Sequence, residues 1–189
     1  MENLNNVIRK EGTLRGLLFG GILLVVNILL VYCTAYWVSS PLVYFFISFI
    51  GTYVIQLGLT LFLTSKLRKK IGGYWSLKQA ATGIFFILLF TYLISTGGRW
   101  LYFKLIDPPA MEAANTNSVN IRRGALEFAH RPQKDIDTTI AEMQKSIEQG
   151  KVFTIGKTIQ DFVISIILLF AVALILGALY KREGAVNKA

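Results

Sequence analysis

Few residues in this chain of 189 could carry out chemistry, and their spacing does not bring them together. The single histidine, His130, has no cysteine or second histidine at metal-ligand spacing, so we interpret it as a solvated loop residue. The single cysteine, Cys33, lies in an apolar run and is typical of a small packing residue. Signatures of phosphate, nucleotide or zinc chemistry are absent from the sequence. We therefore expect no catalytic residue, no cofactor and no metal, and interpret the chain as a non-enzyme.

Small and polar residues recur at helical spacing inside the apolar runs. Helices associate in lipid through close backbone approach at small residues and through interhelical hydrogen bonds. The candidates for helix packing, or alternatively for the lining of a polar pathway, are Gly16, Gly20, Asn27, Thr52, Gln56, Thr60, Thr91 and Ser95. The same runs carry no ionisable residue at depth, which disfavours proton-coupled or ion-coupled transport.

These residues belong to four apolar segments, each long enough to cross a bilayer as a helix. Hydrophobic residues make up 53% of the chain and charged residues only 16%, and a span needs about 20 predominantly apolar residues. In lipid every backbone group must find its partner within its own segment, which favours helices. We predict an all-α integral membrane protein with a single membrane domain over residues 1–189. Its four-helix transmembrane bundle has spans at about 16–38, 42–64, 79–102 and 162–180.

Charge predicts the orientation of these spans. With a cytoplasmic N-terminus, residues 1–15, 65–78 and 181–189 lie inside and hold eleven basic and three acidic residues. Residues 99–161 lie outside and hold nine basic and eight acidic residues. Because cytoplasmic loops carry the excess of Lys and Arg, we expect both termini in the cytoplasm. Arg99 and Asp161 fall at the same predicted depth near the outer boundary, so they form a candidate interfacial ion pair.

Residues 103–158 form an extracytoplasmic loop that is too long and too polar for a simple connection. The prolines after Asp107 are expected to end the third long helix, and residues 115–120 predict a polar turn or a flexible stretch. An amphipathic helix follows, with Asp135 or Asp137 as its N-cap and its end at Gly150.

One face of this amphipathic helix is apolar and cannot be buried by the helix alone. Its residues, which form a candidate partner face, are Ile136, Ile140, Met143 and Ile147. The alternatives are that the face lies on the bilayer surface or packs against residues 119–128.

Several short motifs give the chain a family resemblance. A basic Gly-Gly turn, from Arg68 to Trp75, precedes a helix that begins at Leu77 and leaves through Ile106-Asp107-Pro108. The last apolar segment ends in Tyr180-Lys181-Arg182. In these motifs the chain resembles domain-of-unknown-function family 4199, which consists of small bacterial inner-membrane proteins frequent in Bacteroidetes. The resemblance covers about residues 10–183 and implies location and topology, with no catalytic residue to carry over.

Together these features predict a non-enzymatic accessory or scaffold subunit of a bacterial envelope membrane complex. The expected partners are membrane lipids and another membrane or envelope protein, for example an enzyme of envelope glycan or lipid synthesis; a homo-oligomer is a further option. Nucleic acid is not expected, because the basic cluster at residues 66–70 lacks interleaved aromatic residues. The alternative is a small channel or facilitator for an uncharged or lipid-like solute along the face of Gln56.

Overall fold

The computed structural model describes residues 4–151 and 155–182, and within them the regular elements are helices. Seven α-helices follow in order: α1 Leu4–Tyr36, α2 Pro41–Phe49, α3 Ile55–Lys70, α4 Leu77–Leu105, α5 Pro108–Phe128, α6 Gln133–Lys151 and α7 Ile155–Tyr180. A π-helical segment, Ile50–Val54, joins α2 to α3. Such segments insert a wider turn into an α-helix and are frequent at functional sites.

Four helical stretches are long and apolar enough to cross a membrane: Leu4–Tyr36, Pro41–Lys70, Leu77–Leu105 and Gly156–Tyr180. The prediction of an all-helical protein with four such helices is therefore confirmed. Each stretch runs beyond the predicted apolar segment into polar flanking sequence. Thus α1 begins at Leu4 and α3 ends at Lys70, because Arg, Lys and Glu continue a helix almost as readily as Leu does.

The connection between α4 and α7 contains more helix than the sequence predicted. The predicted turn at residues 115–120 is wrong, since these residues lie inside α5. Helix α5 begins directly after Asp107, whose carboxylate accepts a hydrogen bond from the backbone N–H of Ala110 at 3.1 Å. Pro108 and Pro109 fit the first turn, where a backbone N–H has no helical partner.

Helix α6 also differs from its predicted limits. It begins at Gln133, before both aspartates that were expected to cap it, and continues past Gly150 to Lys151. Between α5 and α6, His130 adopts a left-handed φ of 51° and its N–H donates to the Glu127 carbonyl. His130 therefore caps the C-terminal end of α5, a position that Gly or Asn usually occupies. Its side chain is exposed.

The described chain forms two compact units. Unit 1 contains residues 4–24, 55–98 and 159–182, which belong to α1, α3, α4 and α7. Its buried residues include Phe19, Leu67, Ile87 and, in a second cluster, Ile84 and Ala173.

Unit 2 contains residues 25–54 and 99–158, as far as these are described. It combines the C-terminal parts of α1 and α4 with α2, the π-helical segment, α5 and α6. One buried cluster includes Val31, Phe103 and Ala110, and a second includes Val119 and Ile136.

Candidate functional site

The glycine face of α1 packs directly on α4 within unit 1. A Cβ added at Gly16 would lie 2.7 Å from the carbonyl oxygen of Ile87, and one added at Gly20 would lie 2.7 Å from the Cβ of Ile94. The buried hydroxyl of Thr91 donates a hydrogen bond to the carbonyl of Gly16 at 3.2 Å. The structure therefore brings Gly16, Gly20 and Thr91 together as packing residues, where close approach and one interhelical hydrogen bond act jointly.

The other polar candidates of unit 1 are not brought together. Thr60 is buried and donates to the carbonyl of Gln56, one turn earlier in the same helix, at 2.7 Å. Ser95 is buried in α4. The side chain of Gln56 is exposed and makes no hydrogen bond to a described residue. Gln56 shares a helix face with Thr60 and Leu67, both of which are buried. This face of α3 is therefore buried on the C-terminal side of Gln56 and exposed at Gln56 itself.

The remaining polar candidates lie in unit 2. Asn27 is half-buried and makes no hydrogen bond to a described residue. Thr52 is exposed in the π-helical segment. Neither residue forms a continuous polar path with the other candidates inside its own unit.

The structure does not test the predicted Arg99–Asp161 ion pair, but it does show what covers part of the predicted partner face on α6. Arg99 and Asp161 are both exposed and belong to different units, and their pairing stays a prediction. The apolar face of α6 is covered at one end by α5, because Ile136 and Ile140 are buried in a cluster with Val119. Internal packing, one of the alternatives, therefore describes these two isoleucines. The other two members of the face, Met143 and Ile147, remain half-buried.

Three segments that were predicted to be cytoplasmic meet in unit 1. Glu11 accepts a hydrogen bond from the ammonium group of Lys70 at 2.6 Å, which joins the first segment to the second. Trp75 is buried, its indole N–H donates to the carbonyl of Tyr180 at 2.8 Å, and its backbone pairs with that of Arg182. The turn before Trp75 needs glycine at residues 72 and 73, where φ is +102° and +86°.

A polar network in unit 2 ties the end of α1 to the start of α5. The hydroxyl of Tyr32 donates to the carboxylate of Asp107 at 2.6 Å and lies 3.1 Å from the hydroxyl of Tyr102. The amide nitrogen of Asn117 donates to the carbonyls of Thr34 and Val38, both at 2.6 Å. Thr34 lies in the last turn of α1 and Val38 lies just beyond the helix, where helical partners are missing, so Asn117 supplies the donor.

Unit 2 also contains two surface cavities. One, of about 500 Å³, lies between the end of α1 and α5 next to Asn117. The other, of about 410 Å³, lies between α2 and α5 and is named the α2–α5 groove below. Its lining includes Phe45, Phe49, Tyr53 and Arg122, none of which was selected from the sequence. The four-residue spacing of the three aromatic residues was the available signal.

No group of three or more His, Cys, Asp or Glu side chains that could hold a metal ion occurs among the described residues. The charged side chains of the structure are instead paired or dispersed, as the ion pairs Glu11–Arg15 and Asp137–Arg123 illustrate, both at 3.5 Å. The features available for a function are therefore the packed helix faces, the exposed carboxamide of Gln56 and the α2–α5 groove.

Comparison with known proteins identifies the family. The family model described as "Protein of unknown function (DUF4199)" matches residues 15–182. The chain therefore belongs to this family, which confirms the resemblance seen in the Gly-Gly turn and the Ile-Asp-Pro exit. No curated protein and no solved structure matches the chain significantly.

Proposed function

We propose that this member of the DUF4199 family is a multi-pass protein of the bacterial inner membrane that acts as a non-enzymatic accessory or scaffold subunit of an envelope complex. Both termini lie in the cytoplasm and α5 and α6 lie outside it. The observation that carries the proposal is the exposed carboxamide of Gln56 near the middle of the apolar stretch Pro41–Lys70.

The orientation rests on charge combined with contacts. Because Glu11 contacts Lys70 and Trp75 pairs with Arg182, the described parts of these three segments share one end of unit 1. In the sequence the three segments hold eleven basic and three acidic residues. A common basic end is expected on the cytoplasmic side, since the excess of Lys and Arg in short loops sets the orientation of membrane helices.

The role as a subunit rests on Gln56. An amide without a hydrogen-bond partner costs roughly 2–7 kcal/mol in an apolar environment. The apolar stretch around Gln56 is also the least covered of the four, since 11% of its apolar 18-residue window is buried against 44% for that of α4. A helix of a second protein that donates or accepts a hydrogen bond at Gln56 removes this penalty, in the way that polar residues join membrane helices.

The packing counts against the alternative of a channel or facilitator. A pathway would need the hydroxyl groups of the candidate residues to face a common space. Thr91 instead bonds to Gly16, and Thr60 bonds to the carbonyl of Gln56. In unit 1 these two hydroxyl groups are therefore satisfied by backbone carbonyls, one of them between helices and the other within its own helix.

The proposal is tested by purification of the full chain from native membranes in a mild detergent, followed by mass spectrometry of co-purifying proteins. We expect a stoichiometric membrane or envelope protein, with enzymes of envelope glycan or lipid synthesis as the first class to examine. The Gln56→Leu variant should retain about five- to thirtyfold less of it, which corresponds to the 1–2 kcal/mol of an interhelical hydrogen bond.

Thr96→Leu is the matched control, because Thr96 is an exposed polar residue of α4 in the same unit. This variant should retain the partner as the wild type does. Recovery of the chain alone, or equal loss of the partner in both variants, would contradict the proposed role. Flux of an uncharged solute into liposomes would then be the next measurement.

A further inference from the structure

The α2–α5 groove of unit 2 has an aromatic wall that follows one face of the second long helix. The ring centroids of Phe45 and Phe49 lie 5.9 Å apart with nearly parallel planes, and those of Phe49 and Tyr53 lie 5.7 Å apart. All three side chains are exposed, at 59%, 45% and 65% respectively. The wall is therefore continuous through the change from α-helix to π-helix, and about half of its ring surface is exposed.

The opposite side of the groove contains an uncompensated cation. Arg122, on α5, is exposed and makes no ion pair or hydrogen bond with a described residue. The next residue, Arg123, is by contrast paired with Asp137 at 3.5 Å. The hydroxyl groups of Ser48 and Ser118 also line the groove. The groove thus combines a positive charge and hydrogen-bonding groups with a long apolar surface.

We infer that the α2–α5 groove binds an anionic phospholipid, with the phosphate at Arg122 and an acyl chain along the aromatic wall. Arg with hydroxyl donors suits a phosphate, because charge-assisted hydrogen bonds are strong and the guanidinium can present two of them. The groove's lining on the second long helix extends from Pro41 to Tyr53, which is about 18 Å at 1.5 Å per residue. The aromatic wall itself, from Phe45 to Tyr53, accounts for about 12 Å of this length. One leaflet of the hydrocarbon core is about 15 Å thick, so the lining suits one acyl chain.

The volume and the local backbone agree with this occupant. A cavity of about 410 Å³ falls within the usual range of ligand sites, about 300–1,000 Å³. The π-helical segment contributes Thr52 and Tyr53 to the lining. It also approaches α1 closely, because a Cβ at Gly51 would lie 2.5 Å from a methyl group of Leu30. The inference requires the helices to be in a bilayer but is independent of the proposed role as a subunit.

The test is native mass spectrometry of the full chain after reconstitution with a mixture of anionic phosphatidylglycerol and zwitterionic phosphatidylcholine. The wild type should retain phosphatidylglycerol preferentially. Arg122→Gln should reduce this retention about five- to tenfold, the factor expected for roughly 1–1.4 kcal/mol per basic residue at a lipid head group. Arg131→Gln is the matched control, because Arg131 is an exposed arginine outside the groove.

A second variant, Thr52→Trp, fills the groove without a change in charge and should also reduce lipid retention. Both Arg122 and Thr52 are exposed, so each variant should keep the thermal stability of the wild type. Equal retention of the two lipids by the wild type, or unchanged preference in Arg122→Gln, would overturn the inference. It would also be overturned by a dimer that Thr52→Trp converts to monomer, since the groove would then be occupied by a second copy of the chain. If free inorganic phosphate abolished the preferential retention of phosphatidylglycerol, the groove would bind the ion and not the lipid, and the inference would likewise be overturned.

Discussion

Replacement of Gly16 by alanine should destabilise the protein by about 1–3 kcal/mol relative to the same replacement at Gly21. The new Cβ at residue 16 would lie 2.7 Å from the carbonyl oxygen of Ile87 and 2.8 Å from the Cβ of Phe90. An ordinary contact requires 3.4 Å or more, so the two helices must separate by about 0.7 Å, enough to forfeit a quarter to a half of each dispersion contact across the interface. The hydrogen bond from Thr91, already 3.2 Å long, would weaken as well.

Gly21 provides a control in the same helix, because no atom lies within 4 Å of a Cβ at that position. Both variants gain the helix propensity of alanine, about 1 kcal/mol, so this gain cancels in the comparison. Thermal unfolding in a mild detergent should give a lower midpoint for Gly16→Ala than for Gly21→Ala. For a chain of this size, 2 kcal/mol corresponds to about 4–8 °C. Equal midpoints would refute the close packing of α1 on α4.

Four further predictions concern individual hydrogen bonds and the orientation of the chain. Thr91→Val should cost about 1 kcal/mol of stability through loss of its hydrogen bond to Gly16. Thr64→Val should be neutral or stabilising, because the buried Thr64 hydroxyl has no partner among the described residues. A larger loss of stability at Thr64 than at Thr91 in denaturant titrations would contradict this. Trp75→Phe should lower the free energy of unfolding by about 1–2 kcal/mol through loss of the bond to Tyr180, and the exposed Trp37→Phe should not. Asn117→Ala should cost about 1–3 kcal/mol, because the carbonyls of Thr34 and Val38 lose their donor; the exposed Asn120 is its control. A reporter enzyme active only in the cytoplasm should be active when fused after Arg182 and inactive when inserted after His130; the opposite pattern would reverse the proposed orientation.

The sequence predicted the elements that depend on local pattern. Four apolar runs gave four long helices, and the spacing of Ile136 and Ile140 gave the buried face of α6. Residues 119–128 were also correctly considered as a surface for that face, since Val119 lies in the same cluster. Periodicity is sufficient in these cases because it records which side of a helix is apolar.

Features that depend on distant contacts could not be predicted. Residues 115–120 have weak helix propensity, yet they are helical because Asn117 bonds to Thr34 and Val38, about 80 positions away in sequence. Helical spacing indicated a set of polar candidates, but their separate roles depend on which helix faces which. Thr91 bonds to Gly16, whereas the side chain of Gln56 makes no hydrogen bond to a described residue.

The α2–α5 groove also depends on distant contacts and could not be predicted from the sequence. Phe45, Phe49 and Tyr53 could be read as a face of a lipid-exposed helix, and only the fold places Arg122 opposite them. A single arginine in a charge-balanced segment has no distinguishing local pattern. Its position becomes informative because its neighbour Arg123 is paired and Arg122 is not.

Photo-crosslinking in intact cells tests most directly whether another protein covers Gln56. A photoreactive amino acid at residue 56 should give a discrete adduct with one other protein, identified by mass spectrometry. The same amino acid at residue 168, where Leu168 is 61% exposed on α7, should give no such adduct. An adduct with lipid alone at residue 56, or identical protein adducts at both positions, would contradict the role as a subunit that binds its partner through this face.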